Sequence, residues 1–253
     1  MGPGAAAAFL GGLVAGSFAC AVAYRVPRGL SVVGPRSMCP SCGTQIAAYD
    51  NVPVFSWLLL RGRSRCCGQP IAPSYPVAEL AAAVLFAVTT VVLWHDPAQL
   101  AMGLVFVATL VAITITDLER RIIPNRILLV SAVIGVALAA GLDPSSLPER
   151  AIAAASAGGL LLLAVFAYPR GMGMGDVKLA AVMGLYLGAA VAPALLIGFA
   201  VGAVVGIAMI VRDGASARKR AIPFGPFLAL GGVIALLAGD AMVHWYLTTF
   251  IHG

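Results

Sequence analysis

Two carboxylates stand at the ends of apolar runs. Asp117 closes one run in I-T-I-T-D-L-E-R-R-I-I-P-N, and Asp176 opens another in G-M-G-M-G-D-V-K-L. An acidic side chain at membrane depth is costly and marks function by default. Two carboxylates within hydrogen-bonding distance cannot both ionise cheaply. They share a proton, one serving as base toward water and the other as acid toward a carbonyl oxygen, and they titrate as a pair. That is the chemistry of aspartyl peptide hydrolysis. Gly171, Gly173 and Gly175 alternate ahead of Asp176 and would let backbone approach a substrate closely. The plainer alternatives are helix-end roles. Asp176 would cap a helix N-terminus, and Asp117 would pair with Arg120 or Arg121 one turn on.

The elements that must bring these acids together are membrane helices. The chain has 253 residues, 61% hydrophobic and 10% charged, with a mean hydropathy of +0.99. Soluble domains carry about 25% charged residues. Disorder, a disulfide-rich secreted fold and a soluble nucleic-acid binder are excluded, and the expected class is an all-α polytopic membrane protein. A span needs about 20 apolar residues. Residues 5–24, 76–94, 97–116, 127–142 and 151–168 qualify. The run 179–211 is too long for one helix and is expected to fold back near Ala192-Pro193. Residues 223–245 complete about eight transmembrane helices. The segment 1–8 carries no Lys or Arg, so the first run reads as a retained span and not a secretory signal.

Charge then orients the spans. Of the 16 Lys and Arg residues, all but Arg150 fall on loops one, three, five and seven. By the positive-inside rule those loops are cytoplasmic and both termini lie outside. Asp117 and Asp176 share the cytoplasmic boundary. The net charge of +6 is accounted for by topology and calls for no nucleic-acid partner. Three regions result: a first transmembrane helix at 1–24, a cytoplasmic cysteine-rich loop at 25–75 and a seven-helix membrane domain at 76–253.

The loop carries four of the five cysteines, Cys39 and Cys42 in C-P-S-C-G and Cys66 and Cys67 in R-C-C-G. Cytoplasmic thiols stay reduced, and a loop this small needs a metal or a packing partner to order itself. Paired cysteines followed by glycine suggest zinc knuckles. The second pair departs from C-x-x-C, with Ser64 where a cysteine is expected and Cys66 adjacent to Cys67. The alternative is a metal-free or three-cysteine loop held by Phe55, Trp57 and Tyr75. Cys20 reads as a small buried side chain. Glu79 is either part of a site in the loop or an N-terminal helix acid, Asp240 bonds a neighbouring helix or has a role, and Lys178 anchors at the interface. His95, His244 and His252 fall on the outer side, and no G-x-S-x-G, H-E-x-x-H or Walker segment occurs.

Taken together, the segments resemble one family, the type IV prepilin peptidases. They are G-S-F-A-C-A-V-A-Y-R-V-P from Gly16, C-P-S-C-G, D-N-V-P-V-F-S-W-L-L-L-R-G-R from Asp50, P-I-A-P-S-Y-P-V-A-E-L from Pro70, the two aspartate segments, and I-P-F-G-P-F-L-A-L-G from Ile222. Gly173-Met174-Gly175-Asp176 fits the G-x-G-D signature that this family shares with presenilin-like intramembrane aspartyl proteases. The resemblance implies an enzyme of the bacterial inner membrane, with Asp117 and Asp176 as catalytic dyad, serving type IV pili or type II secretion. Its partners would be membrane lipid and type IV prepilin or pseudopilin substrates, cleaved after a glycine just before their hydrophobic helix. It also implies N-methylation of the new terminus with S-adenosylmethionine, tied to the cysteine loop. Cys39, Cys42 and Cys67 match the family's zinc-binding cysteines, and the remaining one matches Ser64, so Cys66 substitutes or the metal site is weakened. The other expectations are a peptidase lacking methyl transfer and a non-catalytic membrane component or proton-coupled carrier.

Overall fold

A computed structural model of the chain describes residues 3–34, 36–169, 172–214 and 222–250. Arg170, Gly171, Arg218, Lys219, Arg220 and His252 lie outside the described residues. The expected all-α class holds: no strand forms among the described residues, and seven helical stretches are long and apolar enough to cross a membrane. The chain divides into two compact units, Met1–Trp94 and His95–Gly253.

In the first unit, α1 (Pro3–Arg25) and α3 (Ser74–Val92) pack antiparallel, and the cysteine loop with the short α2 (Phe55–Leu59) lies between them in sequence. Small residues allow the close approach. A Cβ on Gly12 would lie 2.6 Å from the Ala83 backbone, and one on Gly16 would lie 2.8 Å from the Glu79 backbone. These glycines form a G-x-x-x-G stripe, the pattern that brings membrane helix backbones together without a hydrophobic driving force.

The second unit contains α4 (Pro97–Arg120), α5 (Asn125–Leu142), α6 (Leu147–Ala167), α7 (Met174–Leu187), α8 (Val191–Asp213) and α9 (Gly225–Phe250). Asp96 caps α4 by accepting from the Gln99 N–H at 2.9 Å, with Pro97 at the first helical position. α9 runs antiparallel to α4, with Gly225 against Asp117 and Gly232 against Leu110 and Phe106. α7 runs alongside α9, so that Met183 also faces Gly232 while Tyr186 stacks on Phe106 at 5.1 Å. A buried hydroxyl cluster fixes α7 laterally. Tyr186 OH donates to the Ser131 carbonyl at 2.7 Å, and Ser131 Oγ lies 2.9 Å from Thr109 Oγ1.

The long apolar run does fold back, but earlier than Ala192-Pro193. The 40-residue stretch Met174–Asp213 breaks in a 3₁₀ turn over Gly188–Ala190, where Gly188 takes φ +56°. α8 returns along α9, with Ala190 against Gly239 and Leu228 against Gly198. Pro193 instead lies in the first turn of α8, where its missing N–H costs nothing. The break is held from outside. Arg150, buried in α6, donates to the Leu185 and Tyr186 carbonyls at 3.2 and 2.7 Å, and Glu149 Oε1 accepts from the Ala189 N–H at 3.2 Å. Adjacent side chains thus satisfy the orphan groups that end one helix and begin the next. Arg150→Met should cost about 2–3 kcal/mol by leaving those carbonyls unsatisfied. A drop in the thermal melting temperature of the detergent-purified protein would register it.

Candidate active site and metal centre

Asp117 sits in the last turn of α4 and is 5% exposed; Asp176 sits in the first turn of α7 and is 8% exposed. Packing of α4, α7 and α9 brings both to one end of the second unit. The structure therefore brings this sequence-selected pair together across 58 intervening residues. Each carboxylate is tied by a glycine amide. Gly225 N–H donates to Asp117 Oδ2 at 2.7 Å, and Gly173 N–H donates to Asp176 Oδ2 at 3.2 Å.

The helix-end alternatives are partly realised. Asp176 does accept from the residue preceding its helix, in the manner of a capping box. Asp117 forms no ion pair with Arg120 or Arg121 among the described residues. Arg121 adopts φ +55° and closes α4 by donating its N–H to the Asp117 carbonyl. Gly175 is required by packing, since a Cβ there would lie 2.9 Å from Ile123 Cβ. Lys178 is exposed and donates to Asn125 Oδ1 at 2.9 Å, joining α7 to α5 on a face away from the buried Asp176. Asp240 is exposed on α9.

The cysteine loop folds as two matching turns. Cys39 N–H donates to the Thr44 carbonyl and Gly43 N–H to the Cys39 carbonyl. In the second turn, Ser64 N–H donates to Gln69 and Gly68 N–H to Ser64, all at 2.8–2.9 Å. Gly43 and Gly68 both take left-handed φ, +71° and +69°. Ser64 thus occupies in the second turn the place Cys39 holds in the first, and Cys67 corresponds to Cys42. Cys66 stands where the first turn has Ser41, and Sγ atoms of Cys39, Cys42, Cys66 and Cys67 all lie within 4.8 Å of one another. Cys39 approaches Cys67 at 3.6 Å and Cys42 approaches Cys66 at 3.1 Å. A tetrahedral Zn–thiolate set with bonds of about 2.3 Å places its sulfurs roughly 3.8 Å apart. The Cys39–Cys67 spacing is near that value and the Cys42–Cys66 spacing is shorter, and the four thiols together could hold a metal ion.

Ser64 keeps a part in this site. Its hydroxyl lies 3.6 Å from Cys39 Sγ and 2.9 Å from Cys66 Sγ. The Ser64 hydroxyl, followed by the Cys42 and Ser41 backbone amides, lowers the Cys39 thiol to about 6. Cys66 receives the same pull from Ser64, yet the neighbouring thiols and desolvation outweigh it and push Cys66 up to about 11.

The rest of the loop is braced by Arg65, which grips Asp50 through contacts of 2.8–3.1 Å, and by Trp57, whose indole N–H donates to the Ile71 carbonyl at 3.0 Å. Of the aromatic residues singled out, Phe55 is exposed and takes no part in a loop core. Glu79 reaches from α3 into the loop. Its Oε2 accepts from the Val54 N–H at 2.8 Å, and Val54 holds φ +62°, a strained value for a β-branched residue. Cys20 is buried in α1, as expected of a small core side chain.

Two residues that sequence reasoning left without a role contact Asp117 or the end of α7, Gly225 and Arg150. Gly225 lies in the I-P-F-G-P-F segment, which was visible as a motif but carried no titratable group. Arg150 stood out only as the basic residue opposite to the others.

Two family profiles match the chain in order, the Bacterial Peptidase A24 N-terminal domain over residues 10–93 and the Type IV leader peptidase family over residues 104–207. The chain is 34% identical over 241 residues to the prepilin leader peptidase/N-methyltransferase of Bacillus subtilis (strain 168), covering 94% of this chain and 96% of that protein. It is 39% identical over 224 residues to the protein of the same name from Aeromonas hydrophila, with 86% and 76% covered. The corresponding Pseudomonas aeruginosa protein is 33% identical over 270 residues, with 93% and 91% covered. No solved structure matches. The aspartate pair falls in the segment matched by the second profile and the four thiols in that matched by the first, and the chain belongs to the type IV leader peptidase family.

Proposed function

We propose that this protein removes the basic leader from type IV prepilins or pseudopilins and then methylates the exposed amino terminus. The observation that carries the peptidase reading is the pair of buried carboxylates on α4 and α7, each tied by a glycine amide at the end of the unit where those helices pack. Asp117 and Asp176 together hold one proton. The ionised member takes a proton from water as its oxygen attacks the scissile carbonyl, and the protonated member gives its own to the carbonyl oxygen. Collapse of the tetrahedral intermediate breaks the C–N bond; the departing amine receives the proton that water gave up, and one hydroxyl proton of the intermediate returns to the carboxylate that had protonated the carbonyl oxygen.

Basic residues crowd the ends of α4 and α7 and the cysteine loop, which supports a cytoplasmic active site at the membrane boundary with both termini outside. A substrate anchored by its own apolar helix would present the leader junction at that depth. The names of the relatives support methyl transfer from S-adenosylmethionine, and we assign the cysteine loop to that activity. Zinc is its structural metal, held by Cys39, Cys42, Cys66 and Cys67. When bound, it would cross-link two turns that have too little core to order themselves.

Purified protein in detergent, given a prepilin and S-adenosylmethionine, should yield a product lacking the leader and heavier by one methylene increment. Intact prepilin after trials with several pilins would reject the proposal, and leader loss without the mass gain would confine it to the peptidase. Elemental analysis should find one zinc per chain in the wild type. Cys66→Ala should lose most of it, whereas Ser64→Cys should leave the stoichiometry unchanged because four thiols already suffice.

A further inference from the structure

The I-P-F-G-P-F segment opens α9 and holds no group able to do acid–base chemistry, yet its backbone touches Asp117. A helix begins with N–H groups that lack partners inside the helix. In α9 they are disposed unequally. Phe227 and Leu228 both donate to the Phe224 carbonyl, at 3.1 and 3.2 Å, and Pro226 has no N–H. Gly225 is left as the single donor of that turn aimed at a side chain, and it meets Asp117 Oδ2 at 2.7 Å in a buried contact. This is the only hydrogen bond that the Asp117 carboxylate makes among the described residues.

The approach requires glycine. A Cβ at position 225 would lie 2.8 Å from Asp117 Oδ2 and 3.2 Å from both Cβ and Cγ of Asp117. Real Cβ atoms do not tolerate the first of these distances, so any other residue would turn the carboxylate away or push α9 off α4. We infer that Gly225 is a positioning residue of the peptidase: its amide fixes Oδ2 of Asp117 and thereby presents Oδ1 to water and substrate. Asp176 is held in a parallel way by Gly173, but within its own helix turn. Gly225 is the long-range member, donated across 108 positions of sequence. The inference rests on Asp117 being catalytic, as proposed above.

Two full-length variants separate space from hydrogen bonding. Gly225→Ala adds the clash. Replacing Gly225 by its hydroxy-acid analogue during cell-free synthesis turns the amide into an ester, removing the N–H and adding no atom at the α-carbon. Gly206→Ala is the comparison, since a Cβ there meets nothing within 4 Å. Misplacing a reacting group by an ångström costs on the order of a hundredfold in rate. Both Gly225 variants should therefore lose roughly that much kcat for prepilin cleavage, with KM within about twofold and an altered pH–rate profile. Gly206→Ala should match the wild type. An ester variant with wild-type kcat and pH profile would overturn the inference. So would an ester variant whose loss of rate is accompanied by a matching fall in melting temperature, because that assigns Gly225 to holding the fold. Asp117→Asn, run beside them, tests the underlying reading separately. If Asp117→Asn cleaves, the dyad fails; if it is dead while the ester variant is normal, only the role of Gly225 fails.

Discussion

Asp117→Asn and Asp176→Asn should each lower the rate of leader removal by at least about a thousandfold, the range that loss of a positioned acid or base commands. The substitution is nearly isosteric. An asparagine oxygen can still accept the amide hydrogen of Gly225 or Gly173, so the hydrogen bonds that orient each side chain persist. The amide cannot take a proton from water or give one to a carbonyl oxygen, and the shared proton of the pair has no second owner. Melting temperature should therefore stay near the wild-type value while turnover disappears. The double variant should be scarcely worse than either single one, because residues that act as a unit are strongly non-additive. The pH dependence of kcat/KM should be bell-shaped, with limbs that belong to the pair and shift together when Gly225 is altered. A single Asn variant that kept a tenth of the wild-type rate would exclude the dyad.

The apolar runs made the helices legible, because a span must satisfy its own backbone and can only be helical. The fold-back was legible in kind but not in place. Pro193 looks like a breaker, yet at the start of a helix proline interrupts no hydrogen bond. The actual break depends on Gly188 with its positive φ and on Glu149 and Arg150 reaching over from α6. Gly188 is local, but the two side chains that hold the break come from another helix.

The site divides in the same way. Asp117 and Asp176 announced themselves by chemical type at membrane ends. The first cysteine turn did so through C-x-x-C-G, and the correspondence of Ser64 with Cys39 could be read by aligning the two turns residue by residue. That Cys66 lies with the other three thiols was legible only as one of two alternatives, since adjacent residues ordinarily diverge. Gly225 was out of reach because its contribution is an amide and an absence of side chain, delivered from 108 positions away. The glycine pair Gly12 and Gly16 gained its role only from the contacts with α3.

Gly184→Val is expected to be severely damaging although it lies away from the carboxylates, and it joins packing to catalysis. α6 and α7 meet closely at this point. A Cβ on Gly184 would lie 2.5 Å from the Ala153 carbonyl oxygen and 2.6 Å from the Ala154 nitrogen, both of them backbone atoms. No rotamer change relieves a clash with backbone, so the helices must separate along their length. Separation would also pull Arg150, which lies on α6, away from the Leu185 and Tyr186 carbonyls that it caps on α7. Overpacking alone costs about 1–3 kcal/mol, and loss of a buried charged hydrogen bond adds about 1.5–3 kcal/mol. The sum is a large share of the stability of an ordinary domain. Asp176 lies eight residues from Gly184, about 12 Å along the same helix, so a survivor that folds should hold the carboxylate out of register with Asp117. Gly159→Val on α6 is the matched control, because a Cβ there meets nothing within 4 Å. The expected result is a broad, early melting transition and little or no cleavage for Gly184→Val, with Gly159→Val like the wild type in both. Equal behaviour of the two variants would mean that α6 and α7 do not approach one another at Gly184 in the folded enzyme.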